Sequence, residues 1–527
     1  MGRRRVLAIG LDGYEESLER RFIEAGELPA LARLREASAR YLLEHGPAQR
    51  SGLAWEHVST GLSPERTGRR AALHFDPETY AVWQEGTRLD PFAARLKSRT
   101  VVFDAPYFDL ARAPRARGVV GWGAHDPGVP TAASPDNLLP EFEARFGKYP
   151  AEQWIYGVVW ASAGRAREMG DALARALERR TRAARWLLGE RLKDWDLALV
   201  VASEPHSAVE ALWHGVDRSH PLHRMPSAEA AREGLLAVYR GVDRLVAELA
   251  SAFPDAALVV FSSGGMGPNH SDTASMALLP ELMYRRAFGR TLLRQPDAWA
   301  DTYAPPPLGE RHDWSEAVRA NLPDAAPPPI LGRLGRAVRR RLVLPGETAE
   351  SYLRRSVNWI PAMSYRPHWR SMDAFALPSY YDGRIRINLA GREAEGGVPA
   401  SEYGTLCDEL EATVRECRDP STGEEVVGHV ERVEGRDPLS LGPTESDMVV
   451  VWKGTFCALE HPTLGRVGPI PYRRPGGHTG PFGLAYLSNA GMEAGDNGVR
   501  SLFDVVPTLF ELLGEQPDGL SGASLLP

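Results

Sequence analysis

The stretch that most restricts how this chain can fold is WDLALVVASEPHSAVEALWH, residues 195–214. Leu197, Ala198, Leu199, Val200 and Val201 form an unbroken apolar run of strand length, the pattern of a strand buried on both faces. Pro205 has no amide proton to donate, so the strand is expected to stop by the polar cluster Ser203, Glu204, Pro205, His206. Ser207 is expected to cap a following helix that carries Val209, Leu212 and Trp213 on one side. His206 then stands at the carboxyl end of the strand, with Glu210 about one turn into the helix. In open α/β sheets, ligands bind outside the carboxyl ends of the strands. One imidazole and one carboxylate, with Glu204 beside them, are thus offered where a metal or an anion would be held.

The same order recurs along the chain. Val6–Leu11 reads as a strand ending at Asp12-Gly13, and Thr100–Phe103 as one ending at Asp104. Residues 119–122 lead into GWGAHDP, and residues 257–261 into SSGGMGPNH. Helical periodicity appears near 28–39, 163–192 and 228–252. This alternation predicts an α/β fold, a mainly parallel, doubly wound sheet sandwiched by helices. With 527 residues there is chain for more than one lobe. The core is expected over 1–300 and 476–527. A Pro- and Arg-rich insertion or lid is expected over 301–373, with prolines at 305–307 and 327–329 and a basic run at 333–341. A smaller, strand-rich α+β satellite lobe is expected over 374–475.

The formal net charge of −7 argues against a nucleic-acid-coating surface, and no apolar run reaches membrane-spanning length. The expected partner is a small molecule, with no nucleic acid and no membrane. Three cysteines without a CxxC pair give no disulfide framework. Together with the short apolar run after MGRRR, too short for a signal peptide, this predicts a cytoplasmic protein.

Polar residues at strand ends and in glycine-rich loops now include Asp12, Ser51, the Glu204/His206/Glu210 cluster, Ser263 and His478. Five motifs hold them: VLAIGLDG (6–13), SGLAWEHVSTGLSPERTG (51–68), the 203–214 segment, VVFSSGGMGPN (259–269) and GGHTGPFG (476–483); LLPELMYR (278–285), RINLAGRE (386–393) and FDVVPTLFELLG (503–514) stand beside them. With these motifs the chain resembles the alkaline phosphatase superfamily, in its type I phosphodiesterase/nucleotide pyrophosphatase branch, over nearly its whole length. The resemblance implies an alkaline phosphatase-like fold and hydrolysis of a phosphate ester, a phosphodiester or pyrophosphate before a simple monoester. It implies metal ions, usually two zinc ions, flanking a Ser or Thr nucleophile that attacks phosphorus in line.

By position, Asp12 matches a carboxylate ligand, Ser51 the nucleophile and His478 the last histidine ligand. The chain departs from the family at two places. Where the family has Asp and, four residues later, His, this chain has His206 and Glu210. Where it has Asp-His-Gly after the 259–261 strand, this chain has Ser263-Gly264-Gly265. The expected site therefore keeps Asp12, His206, Glu210 and His478 for one divalent metal, zinc by family habit. Glu204 is either a ligand or a partner behind the ligands. Taken alone, Asp12 suits a turn, Ser51 a helix cap, and His206 with Glu210 a surface pair. His57, Thr60, His125 and Asn269 receive no chemical role. Two alternatives stand beside hydrolysis: transfer to an acceptor other than water, and a binding or scaffold protein that kept the fold without the chemistry.

Overall fold

The computed structural model describes residues 5–300, 308, 313–322, 354–433, 435–516 and 518–527. The prolines at 305–307 and 327–329 and the basic run at 333–341 lie outside the described residues. The chain divides into two units: Met1–Arg69, Gly86–Pro268 and Pro475–Pro527 form the first, and Arg70–Glu85 with Asn269–Arg474 the second.

The first unit is built on a nine-stranded sheet. Its strands are β1 (Val6–Leu11), β2 (Ala39–Glu44), β3 (Thr100–Phe103), β4 (Ala116–Val120), β5 (Ala132–Ser134), β6 (Leu197–Ala202), β7 (Ala257–Ser262), β8 (Phe482–Ser488) and β9 (Gly495–Ser501). Their spatial order is β9-β2-β8-β7-β1-β6-β3-β4-β5. The centre, from β7 through β4, is parallel throughout. Strand β8 runs antiparallel to both of its neighbours, and β5 runs antiparallel to β4. Every residue of β1, β6 and β7 is buried, which is why these strands are unbroken apolar runs without alternation. Each large aliphatic side chain among them contributes roughly 1.5–3 kcal/mol by leaving water.

Three helices matter for the site: α1 (Ala163–Trp186), α2 (Glu204–Leu212) and α3 (Ala228–Ala252). Helices α1 and α3 approach closely where Gly170 faces Gly234; a Cβ on Gly170 would stand 2.4 Å from Gly234 Cα. Helix α2 begins three residues before the expected cap. Glu204 opens it and Pro205 lies in its first turn, where the missing amide proton would have had no partner in the helix. Ser207 is therefore inside the helix, and its hydroxyl donates to Ile155 O at 2.9 Å. Strand β4 likewise starts and ends earlier than expected, leaving 121–125 as loop.

The second unit has its own four-stranded antiparallel sheet, in the order Ala374–Leu377, Gly383–Ile387, Met448–Trp452, Val427–Arg432. Leu410 and Val414 of the helix Tyr403–Arg415 are fully buried. Among the described residues, no helix is long and apolar enough to cross a membrane.

One core feature of the first unit predicts a pH effect. Glu19 is fully buried and accepts from the Tyr486 hydroxyl, and Arg35 Nη1 lies 3.9 Å away. Burial outweighs the hydrogen bonds from Tyr486 and Tyr14 and pushes its carboxyl up to about 7. The folded pKa is raised, so this contribution to stability is complete below the unfolded value near 4.5 and is lost as pH rises through about 7. Relative to wild type, Glu19→Gln is expected to gain roughly 2.5 kcal/mol between pH 5 and pH 8. Urea unfolding of both proteins at the two pH values checks this. Parallel shifts in the two proteins would show that Glu19 does not titrate in this window.

Candidate metal centre

The site forms because parallel neighbours end at the same level. Leu11 of β1 pairs with Ala202 of β6, and Asp12 N donates to Ala202 O at 2.9 Å, so Asp12 and the start of α2 leave the sheet together. On the other side of β6, Asp104 N donates to Val119 O at 2.7 Å, which keeps the loop after β4 alongside. That loop carries His125.

His206 is the hub. Its Nδ1 lies 3.1 Å from Asp12 Oδ2. On the opposite side of the ring, Nε2 lies 2.9 Å from His478 Nε2 and 3.3 Å from Glu210 Oε1. His125 stacks on His206 with ring centroids 3.8 Å apart, and its Nε2 is 3.4 Å from Glu210 Oε2. Ligand atoms of His125, His206 and Glu210 all lie within 4.8 Å of one another, and all three residues are buried. Asp12 is buried too, and His478 is half-buried.

The electrostatics follow from this packing. Burial opposes a charge on His206, but Asp12 and then Glu210 outweigh it and raise its pKa to about 10. Burial, and next the charge on His206, push His125 down to about 4. Burial works against the Asp12 carboxylate, yet His206 first and His125 after it hold its pKa below the ordinary value. A cation between two carboxylates is thus the preferred state of this pocket, and a proton on His206 is one way to supply it.

A divalent metal is another. Two nitrogen ligands on a tetrahedral zinc stand about 3.3 Å apart, and the spacings of 2.9, 3.3 and 3.4 Å around Nε2 of His206 and His125 fall near that value. Neutral imidazole with carboxylate is also a donor set that zinc accepts. The residues present therefore fit a metal ion.

The other expected site residues are placed as follows. Ser51 ends the 3₁₀ turn Gly46–Ser51; its Oγ donates to Ala48 O at 2.6 Å and accepts from Leu53 N at 3.1 Å. Glu204 points away from the cluster: both its oxygens accept from Arg180 Nε at 3.0 Å. Beside Gly264 lies the Gln49 side chain, 3.6 Å from the position of a Cβ. Gln49 Nε2 donates to Gly480 O at 2.9 Å and, at 3.3 Å, to the carbonyls of Gly265 and His478. His125 had no role in the sequence reading, although it follows a strand run as Asp12 and His206 do.

Gly13 is held by this geometry. Its φ is +59°, and a Cβ there would stand 2.4 Å from His206 Cα, a backbone atom that cannot swing aside. Gly13→Ala combines left-handed strain with that clash, and a loss of about 3 kcal/mol in denaturant unfolding is expected. A loss under about 0.5 kcal/mol would mean that α2 moves freely against β1, within the scatter of an ordinary surface substitution.

No protein-family model and no curated protein matches this sequence. Solved structures do. Phosphonoacetate hydrolase from Sinorhizobium meliloti 1021, in complex with phosphonoformate, aligns at TM-score 0.50 and 16% identity over 97% of this chain and 95% of that one. Murine ectonucleotide pyrophosphatase/phosphodiesterase 5, an inactive variant in complex with AMP, aligns at TM-score 0.45 and 11% identity over 99% of this chain and 97% of that one. At such identity the first likeness speaks for the fold. The nine-stranded sheet with its helices is the alkaline phosphatase-like α/β fold that the sequence motifs imply.

Proposed function

We propose that this chain is a metal-dependent hydrolase of a phosphate ester, with a phosphodiester or a pyrophosphate as the substrate class and Ser51 as the nucleophile. The observation that carries the reading is the buried group His125, His206 and Glu210 at the carboxyl edge of the sheet. His125, His206 and Glu210 would hold one divalent ion, zinc by the donor set, with His478 beside them. Asp12, against Nδ1 of His206, orients that ring and keeps Nε2 turned toward the ion. When bound, the ion supplies charge for the phosphoryl oxygens and lowers the pKa of a neighbouring hydroxyl. Ser51 must give up the proton it now donates to Ala48 O before it can attack. The Gln49 amide beside Gly264 supports one metal over two, because a side chain extended from position 264 would meet it.

The test pairs elemental analysis of the purified protein with turnover of bis(4-nitrophenyl) phosphate and of a nucleotide pyrophosphate. One metal per chain and turnover that stops on chelation are expected. Turnover only with an added alcohol would point to transfer in place of hydrolysis. No metal and no turnover would leave a binding protein on this fold. Two tightly held metals would overturn the one-metal part.

A further inference from the structure

Behind the metal group lies a second polar cluster that none of the roles above uses. Arg180, in the middle of α1, has a fully buried guanidinium. Its Nε donates to both oxygens of Glu204 at 3.0 Å. Its Nη1 donates to Asp104 Oδ2 at 2.8 Å and to Val201 O at 2.9 Å. Phe103 and Trp122 close the cluster, each with its ring centroid 5.4 Å from the guanidinium carbon. Asp104 and Glu204 are fully buried as well.

What these partners hold decides what the cluster does. Val201 and Glu204 bracket the turn from β6 into α2, and α2 carries His206 and Glu210. Asp104 follows β3 with φ +61°, an uncommon conformation for a residue other than glycine. In that pose its Oδ1 accepts from Trp122 N at 2.7 Å and its Oδ2 from Gly123 N at 2.8 Å. Those amides begin the loop that carries His125 two residues later. The path therefore runs from the His125 loop, through the Asp104 carboxylate and the Arg180 guanidinium, to the first turn of α2. The two sources of the proposed metal ligands are spanned by one buried, charge-assisted link.

We infer that Arg180 and Asp104 are positioning residues for the metal group: together they form a buried brace that sets the spacing of His125 against His206 and Glu210. The inference rests on the reading of that group as a metal site. A brace is distinct from generic core stability, because its loss should alter metal geometry and affinity at equal folding stability. Partners behind metal ligands typically tune affinity 10–100-fold. A purely structural Arg would change the unfolding midpoint and leave the loaded site as it was.

The test uses the full chain, stripped by chelation and titrated with Co²⁺, followed by visible absorption. Arg180→Lys, Arg180→Met and Asp104→Asn are compared with wild type and with Leu249→Ala, a fully buried position on α3 chosen to lower stability by other means. Wild type is expected to bind one Co²⁺. Asp104→Asn and Arg180→Met are expected to bind it at least tenfold more weakly with altered absorption bands, and Arg180→Lys to fall between them and wild type. Leu249→Ala is expected to unfold earlier yet bind Co²⁺ within twofold of wild type. If Arg180→Met does not fold, Arg180→Lys and Asp104→Asn decide. The brace is overturned if those two fold and match wild type in affinity and spectrum, or if Leu249→Ala weakens binding as much as they do. If wild type itself takes up no Co²⁺, the metal reading fails first and the brace with it.

Discussion

A His206→Ala variant is expected to lose stoichiometric metal and all measurable phosphodiester turnover. The ring is the contact shared by every other member of the group: Asp12 at Nδ1, Glu210 and His478 at Nε2, and His125 against its face. Removing it takes one of the three proposed ligands and also leaves Asp12 and Glu210 as buried carboxylates without the imidazole between them. Breaking a buried charge pair costs about 3–5 kcal/mol, so the metal-free variant should also unfold at lower denaturant. Asp12→Asn makes the graded comparison. It keeps shape and a hydrogen bond at Nδ1 but loses the charge, so metal affinity should fall roughly 10–100-fold, the range for partners that orient a ligand. Elemental analysis after dialysis, with Co²⁺ titration, separates the two. One metal retained per chain in His206→Ala would place the metal elsewhere.

Ser51→Ala is expected to keep its metal and lose at least about 10³-fold in kcat, the scale on which removal of a nucleophile acts. A structural role for the hydroxyl predicts something much smaller. Its bonds to Ala48 O and Leu53 N are ordinary turn hydrogen bonds, worth about 1 kcal/mol each, whereas 10³ in rate corresponds to about 4 kcal/mol. A Ser51→Ala enzyme within threefold of wild type, fully metal-loaded, would remove Ser51 from the mechanism. A covalent phospho-intermediate trapped on Ser51 by rapid quench, and absent in the variant, would be positive support.

Some misplacements along the chain show which physical signals carry. The carboxyl ends of the strands were legible because three features coincide there: an apolar run stops, a polar residue or glycine follows, and helical periodicity begins. That combination located Asp12 and His206 at their strand ends. It applies equally to the loop after β4, yet it does not single out His125, because one histidine in a loop without a spaced partner has no signature of its own. The cap of α2 is Ser203, four residues before the expected Ser207, because the first turn of a helix tolerates Pro205. Arg180 carries a weak signal: it lies three and four residues from Leu177, Ala183 and Ala184, so the helical period puts it on the buried face of α1. A charged residue on such a face asks for buried carboxylates, but the sequence does not say which.

What the sequence by itself determined is the architecture and the edge on which chemistry would sit. Burial on both faces demands near-continuous apolar strands, the crossover helices demand their own period, and a parallel sheet gathers its strand ends on one side. Tertiary structure alone decided the partners. His125 and His206 are 81 residues apart, and only the side-by-side packing of β4, β3 and β6 stacks their rings. Glu204, two residues from His206, faces Arg180 and not the metal group, because side chains two apart on a helix point to different sides. Adjacency in a sheet follows from which strands pair, and pairing is a property of the whole core, so no local stretch of the chain contains it.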